Sequence, residues 1–195
     1  MVVNESGLMA NMKSAVKTTG YTVAGTGTKE YPGLMISNGY WAVVLRGEVI
    51  PRNVIGLIAT HTGKLPGIEE AFHVFKKDVQ DEIYEMAVRE VRGLQQMAQR
   101  MEKEADLHLR TIKPTSLTFG GWNIWQLPYN LEVKKINPER QKVMQLTGME
   151  DVSLMGNTLY VEDGVSAAFL ICETVNDTEE TMIKHLEQFQ WITAE

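Results

Sequence analysis

The chain has 195 residues, a formal net charge of −6 and one cysteine, and 44% of its residues are hydrophobic. This length and composition predict a globular chain with one domain or two small ones, and they exclude intrinsic disorder and a disulfide-built scaffold. No apolar run reaches the roughly 18 residues of a transmembrane helix, residues 1–10 lack the features of a signal peptide, and the negative net charge disfavours generic DNA binding.

The first third of the chain predicts a helix, three strands and a second helix. Apolar residues at helical spacing predict a first helix that Gly20 ends. A strand follows at 21–24, and two more flank Asn38-Gly39, which is the strongest short-range signal for a β-hairpin. Pro51 then suits the first turn of a second helix.

The middle of the chain leaves one element open. Residues 71–76 alternate like a strand, and apolar residues between Met86 and Ala105 recur every seven positions, as on one stripe of an amphipathic helix. The stretch 78–85 suits either the start of that helix or another strand. On a helix its four acids would share a face, either as ordinary helix-start acids or as an acid–base or metal-binding cluster. These acids are Asp78, Asp81, Glu82 and Glu85.

The last part of the chain alternates short strands with two helices. A strand at 107–112 should end at Pro114, and a second hairpin is predicted around Gly120-Gly121. Further elements are predicted in the order strand, helix, three strands, helix. Their bounds are 131–136 for the strand, 138–146 for the helix, 152–155, 158–162 and 165–172 for the three strands, and 177–190 for the last helix.

The order helix, three strands, helix therefore appears twice, at 6–62 and at 138–190. This order predicts the α+β class, with antiparallel β-meanders and flanking helices. We expect a single compact unit over 1–195, with two joined halves, 1–105 and 106–195, as the alternative.

Few residues have the spacing of a catalytic or metal site. The four histidines are far apart in sequence, and Cys172 lies in an apolar strand where an inert thiol is the usual reading. We therefore expect no catalytic residue, no metal and no cofactor. One alternative is a metal-dependent nuclease, because Glu132 and Lys134 would share a strand face, and Asp106 could supply a second carboxylate.

Two features indicate a binding surface. Trp122 and Trp125, with Tyr129, form an aromatic cluster that suits core packing, base stacking or an anchor for a protein partner. The second feature is a stretch from Val143 to Ile183 that has eight acids and no Lys or Arg. It suits either a solvated face or a patch complementary to a basic protein. The acids we expect to contact a partner are Glu150, Asp151, Glu162 and Asp163.

Three segments resemble small proteins from phages and mobile elements of Firmicutes. They are Tyr21–Ala24, Gly39–Val43 and Ile50–Ile58, and Trp122–Leu131 fits the same resemblance. The likeness implies a bacterial cytoplasm and phage–host or replication processes, in which some such proteins inhibit CRISPR effectors. A second resemblance is to sliding clamps, because residues 131–172 follow the strand, helix, three-strand order of their domains.

We predict a non-catalytic phage or mobile-element protein that binds and inhibits a nucleic-acid-handling protein, such as a CRISPR effector. The alternatives are a sliding-clamp-like factor of DNA replication or processing, and the nuclease. The charge disfavours direct nucleic-acid binding, and no membrane partner is expected. The oligomeric state stays open.

Overall fold

The computed structural model describes residues 1–77, 80–86, 110–147 and 151–192. It also describes five exposed, helical residues within the predicted amphipathic helix, which are Arg92, Gln96, Gln99, Arg100 and Lys103. The chain is α+β, with helices flanking an eight-stranded sheet and a three-stranded sheet in which all paired strands are antiparallel. The predicted fold class is therefore confirmed.

The first helix–three-strand–helix pattern lies at the start of the chain and two further strands follow it. Its elements are α1 Glu5–Val16, β1 Tyr21–Gly27, β2 Pro32–Ser37, β3 Trp41–Arg46, a 3₁₀ turn at Gly47–Val49, α2 Arg52–Thr62, β4 Ala71–Lys77 and β5 Gln80–Glu85. Asn4 caps α1 by accepting a hydrogen bond from the Gly7 amide, and Gly63 ends α2 in the left-handed conformation.

The second pattern follows a three-stranded meander. The elements are β6 Lys113–Phe119, β7 Trp122–Gln126, β8 Val133–Ile136, α3 Pro138–Gln141, β9 Ser153–Met155, β10 Thr158–Glu162, β11 Ser166–Ile171 and α4 Asp177–Leu186. Asn176 and Glu179 form a capping box at the start of α4. The helix–three-strand–helix order thus occurs twice, as predicted.

The two patterns share one sheet. The strand order is β5-β4-β1-β2-β3-β11-β10-β9, so β3 of the first pattern pairs with β11 of the second at the centre. In this pairing Trp41 lies opposite Leu170, and Leu45 lies opposite Ser166. Strands β6, β7 and β8 form the smaller sheet.

The main core lies between the large sheet and the helices on one of its faces. Leu8 and Met12 of α1 and Ile58 of α2 are fully buried against strand residues such as Val43. Trp125 of the small sheet belongs to the same apolar cluster. A smaller cluster of buried residues includes Tyr160 and Phe169, whose rings are tilted by 37° with their centroids 4.8 Å apart.

The structure favours the strand among the two alternatives for 78–85, and it corrects the boundary expected at Pro114. Residues 80–85 form strand β5, so Asp81, Glu82 and Glu85 do not share a helix face; Asp78 lies outside the described residues. Pro114 lies inside β6 instead of ending a strand, which an edge strand with a register shift tolerates.

Helix α3 is also shorter than predicted. It ends at Gln141, because the chain then runs beside the N-terminal segment: Met144 bridges to Val3, and the Gln145 amide donates to the Val2 carbonyl. The strand at 131–136 begins only at Val133. Most of the predicted amphipathic helix, and residues 107–109 of the predicted strand at 107–112, lie outside the described residues. Within 110–112, Thr111 forms an isolated antiparallel bridge with Ser153.

Candidate functional site

Four connections meet at one end of the eight-stranded sheet. Because neighbouring strands are antiparallel, β1, β3 and β10 end where β2, β11 and β9 begin. We call these connections, together with the last residues of β3 and β10, the turn edge; its residues are 28–31, 46–50, 151–152 and 162–165. With neighbouring strands about 4.8 Å apart, the six strands from β1 to β9 span about 24 Å.

The turn edge brings together acids that are separate in sequence. Strand β10 pairs with β9, and Tyr160 lies opposite Ser153. Glu162 ends β10 and Asp151 precedes β9 by two residues, so both acids lie beyond this pair at the turn edge. Asp151 is exposed and has no ion-pair partner in the part of the chain that the structure describes. Glu150 lies outside the described residues.

Glu162 has a weak internal partner. Its Oε2 atom lies 3.8 Å from Nη1 of Arg46, and both side chains are about one-third exposed. The same Nη1 atom donates a hydrogen bond to the Gly164 carbonyl at 3.1 Å. Since an exposed ion pair at this distance contributes little free energy, Glu162 remains available to an external cation.

Asp163 holds the β10–β11 turn together. Its Oδ1 atom accepts hydrogen bonds from the Val165 and Ser166 amides and from the Ser166 hydroxyl, and Oδ2 lies 2.9 Å from the Met1 amine. Partial burial raises the pKa of the Asp163 carboxyl, but the amine and the hydrogen bonds outweigh it and lower the pKa to about 2. These contacts satisfy the carboxylate internally.

The other acids of the stretch from Val143 to Ile183 are mostly paired within the chain. Glu173 pairs with Arg140, and Glu179 pairs with Lys135 at 2.5 Å. On α4, Glu180 pairs with Lys184 at 2.6 Å. Cations from other parts of the chain thus neutralise much of the negative charge, and the acidic surface is smaller than the sequence suggested.

The predicted aromatic cluster is divided by the fold. Trp125 is fully buried in the main core, which favours the core-packing interpretation, and its ring is out of reach of a partner in this conformation. Trp122 is half-buried, with Nζ of Lys135 5.5 Å from its ring centroid. Tyr129, in the β7–β8 loop, is 62% exposed.

The nuclease alternative depends on Glu132. Glu132 immediately precedes β8 and forms an ion pair with Lys134 of that strand at 3.0 Å, and Arg110 binds the same carboxylate at 2.7 Å. Burial raises the pKa of Glu132, but the hydrogen bonds from Lys134 and Arg110 outweigh burial, so the pKa is lowered overall. Asp106 lies outside the described residues. Among the residues that are described, no three His, Cys, Asp or Glu side chains form a cluster that could hold a metal ion.

The cysteine and two of the histidines have structural contacts. Cys172 is buried, and burial raises the pKa of its thiol to about 12, which disfavours the thiolate. His61 Nδ1 lies 2.8 Å from the Tyr21 hydroxyl, and His73 Nδ1 lies 3.0 Å from the Thr22 hydroxyl.

Sequence reasoning missed the cations that surround these acids. Arg46 at the turn edge and Arg110 beside Tyr129 carry no local signal, because their partners are more than fifteen residues away in the chain. Each arginine meets its partner only through the pairing of the strands in the folded chain.

Comparisons with known proteins are sparse. No family model matches the chain, and no curated protein matches it. One crystal structure from Eubacterium rectale ATCC 33656, provisionally described as a DNA polymerase III beta subunit, is similar over 93% of this chain and 67% of its own, with 10% identity and a TM-score of 0.39. A likeness of this degree determines neither the family nor the function. Among the described residues, no helix combines the length and apolarity needed to cross a membrane.

Proposed function

We propose that the protein is a non-catalytic binding protein that contacts a basic macromolecular partner through the turn edge. The observation that carries this proposal is that the turn edge holds two exposed acids, Asp151 and Glu162, neither of which has a strong internal partner among the described residues. Acids held on neighbouring strand ends form a rigid surface, which binds a complementary cationic surface without a large loss of conformational entropy.

Exposed apolar side chains accompany these acids. Val165 is 41% exposed in the β10–β11 turn, and Val49 and Tyr31 are exposed in the neighbouring connections. A protein interface commonly combines an apolar centre with charged groups at its rim. The turn edge has both, over a length comparable to one side of a standard interface.

The partner class we favour is a protein that handles nucleic acid, because its groove is basic and binds phosphate. A phage or mobile-element protein that inhibits a CRISPR effector is the narrower form of this proposal. Its support is the resemblance of Tyr21–Ala24 and Ile50–Ile58 together with the acidic turn edge. The mechanism would be occlusion of the nucleic-acid groove.

The test compares two variants that remove the same number of charges. Asp151→Asn/Glu162→Gln removes the turn-edge acids, and Glu139→Gln/Asp177→Asn removes exposed acids on α3 and α4. Each purified protein is used as bait in a bacterial lysate, and captured proteins are quantified by mass spectrometry at low and high salt.

We expect basic, nucleic-acid-handling proteins to be captured by the wild type and by the α3/α4 variant, to be lost with the turn-edge variant, and to elute at high salt. Equal capture by all three proteins would refute the proposal. The matched variant separates a local effect from the change in net charge.

A second candidate is the sliding-clamp-like DNA-processing factor. The observation that favours it is the exposed stripe of α1, where Lys13 and Lys17 have no ion-pair partner among the described residues; Arg52 at the start of α2 is also without one. Such cations suit phosphate contacts. A ring-shaped oligomer whose DNA binding is lost on Lys13→Glu/Lys17→Glu would support this candidate, and a monomer without DNA affinity would remove it.

A further inference from the structure

The β7–β8 loop holds an exposed tyrosine in a single position. Tyr129 is 62% exposed, yet its hydroxyl accepts a hydrogen bond from Nε of Arg110, whose guanidinium carbon lies 5.6 Å from the ring centroid. The hydrogen bond to Tyr129 is also the main reason that the pKa of Arg110 is raised.

The guanidinium is itself fixed from the other side. Nη2 of Arg110 donates to Glu132 at 2.7 Å, and Glu132 also accepts from Lys134 and from the side chain of Asn130. The chain between Tyr129 and Glu132 is tight, because Leu131 adopts a φ of 62°, in the left-handed region that non-glycine residues rarely occupy. Backbone strain of this kind is concentrated at functional sites.

Charge and hydrogen-bond capacity define the kind of ligand. Arg110 and Lys134 carry two positive charges against the single carboxylate of Glu132, so this group of three side chains beside Tyr129 has a net positive charge. A guanidinium has five N–H donors, of which two are used. The Nη1 group of Arg110 has no partner in the part of the chain that the structure describes, and the Arg110 side chain is 40% exposed.

We propose that Tyr129 and Arg110 form a second binding site, separate from the turn edge, for an acidic peptide segment of a partner protein. The unused Nη1 group binds a carboxylate of the segment, and an apolar or aromatic side chain of the segment packs on the exposed face of Tyr129. Tyrosine and arginine dominate binding energy at protein interfaces, and a pre-ordered pair loses little entropy on binding.

A protein segment fits this site better than single-stranded nucleic acid does. Proteins that bind single strands usually present several stacked rings along one basic groove. Here the neighbouring tryptophans are unsuitable, since Trp125 is buried and Trp122 is half-buried beside Lys135.

The experiment selects ligands from a displayed library of short random peptides on the intact protein. The selected peptides are then measured by fluorescence anisotropy against the wild type, Tyr129→Ala, Tyr129→Phe and Arg110→Lys, with oligothymidine as a parallel ligand. Tyr40→Ala is the matched control, because Tyr40 is also an exposed tyrosine beside an arginine, Arg140, and lies in the β2–β3 turn at the other end of the sheet from the turn edge. Thermal melts establish that each variant is folded.

We expect acidic peptides with an aromatic or aliphatic residue, whose affinity falls at least about tenfold with Tyr129→Ala and with Arg110→Lys. Tyr129→Phe should give an intermediate loss, because it keeps the ring and removes the acceptor for Arg110. Tyr40→Ala should change affinity less than about twofold.

Three results would overturn the proposal: no enrichment, selected peptides without acids, or equal affinity for all variants. Tyr129-dependent binding of oligothymidine without peptide binding would replace it with a nucleic-acid platform. None of these results affects the turn-edge proposal, whose variants lie elsewhere.

Discussion

Nζ of Lys135 lies 2.5 Å from Oε2 of Glu179, and this ion pair joins strand β8 to helix α4. Lys135 is only 3% exposed, although it carries a charge. Glu179 also accepts a hydrogen bond from the Asn176 amide, so one carboxylate both caps the helix and docks it. The hydrogen bond from Lys135 is the largest cause of the lowered pKa of Glu179.

We expect Glu179→Gln to destabilise the protein several times more than Glu180→Gln, because it leaves the buried Lys135 without its partner. Glu180 is exposed and pairs only with Lys184 on the same helix. Urea unfolding of both variants measures the difference in the free energy of unfolding. Adding Lys135→Met to Glu179→Gln should restore part of the loss; equal effects of the two single variants would contradict this account.

Gly7 of α1 packs closely against the backbone of Lys142, the residue that follows α3. A Cβ atom at this position would lie 1.7 Å from the Lys142 carbonyl oxygen, so Gly7→Ala should cost at least about 2 kcal/mol of unfolding free energy. Gly56 in α2 is the control, because a Cβ atom there meets nothing within 4 Å.

Gly56→Ala should therefore raise stability by about 0.5–1 kcal/mol through helix propensity. The denaturant midpoints of the two variants test both predictions: the midpoint should fall for Gly7→Ala and rise for Gly56→Ala. If Gly7→Ala were neutral, α1 and α3 would not be packed as described.

Asp163 should make stability depend on acidity. The pKa of its carboxyl is lowered from 3.8 to about 2, so its contribution is present above pH 3.8 and is lost as the pH falls towards 2. With allowance for solvent screening, Asp163→Asn should cost roughly 1 kcal/mol at neutral pH. Unfolding curves of wild type and variant should converge as the pH falls below 4; a difference that does not change with pH would exclude this linkage.

The shared sheet and core lead us to expect a single cooperative unit over residues 1–195. Trp41 in β3 and Trp125 in β7 belong to one apolar cluster although they lie in different halves of the chain. Tryptophan fluorescence and far-ultraviolet circular dichroism should therefore give coincident unfolding transitions. Two separated transitions would instead favour independent halves, 1–105 and 106–195.

The elements that local sequence signals determine were predicted well. Asn38-Gly39 forms the turn between β2 and β3, and Gly120-Gly121 forms the turn between β6 and β7. These turns need left-handed glycines, which the sequence shows directly. The fold class followed from the order of such elements.

Features that depend on distant contacts were not predictable. The early end of α3 follows from the bonds of Gln145 with the N-terminal segment. The pairing of acids with Arg140 and Lys135 likewise depends on the sheet topology. Charge along the sequence therefore overestimated the acidic surface, while the contact between Arg110 and Tyr129 carried no sequence signal.

The pairing of β3 with β11 has a consequence for synthesis of the chain. Until the ribosome has released Ser166–Ile171, Trp41–Arg46 has β2 on one side and an unsatisfied hydrogen-bonding edge on the other. Because β3 and β11 lie far apart in the chain, closing the loop between them is slow, and the open apolar edge of β3 promotes association between nascent chains. A fragment that stops before β11 should therefore aggregate, and the last strands to emerge would complete the sheet at its middle.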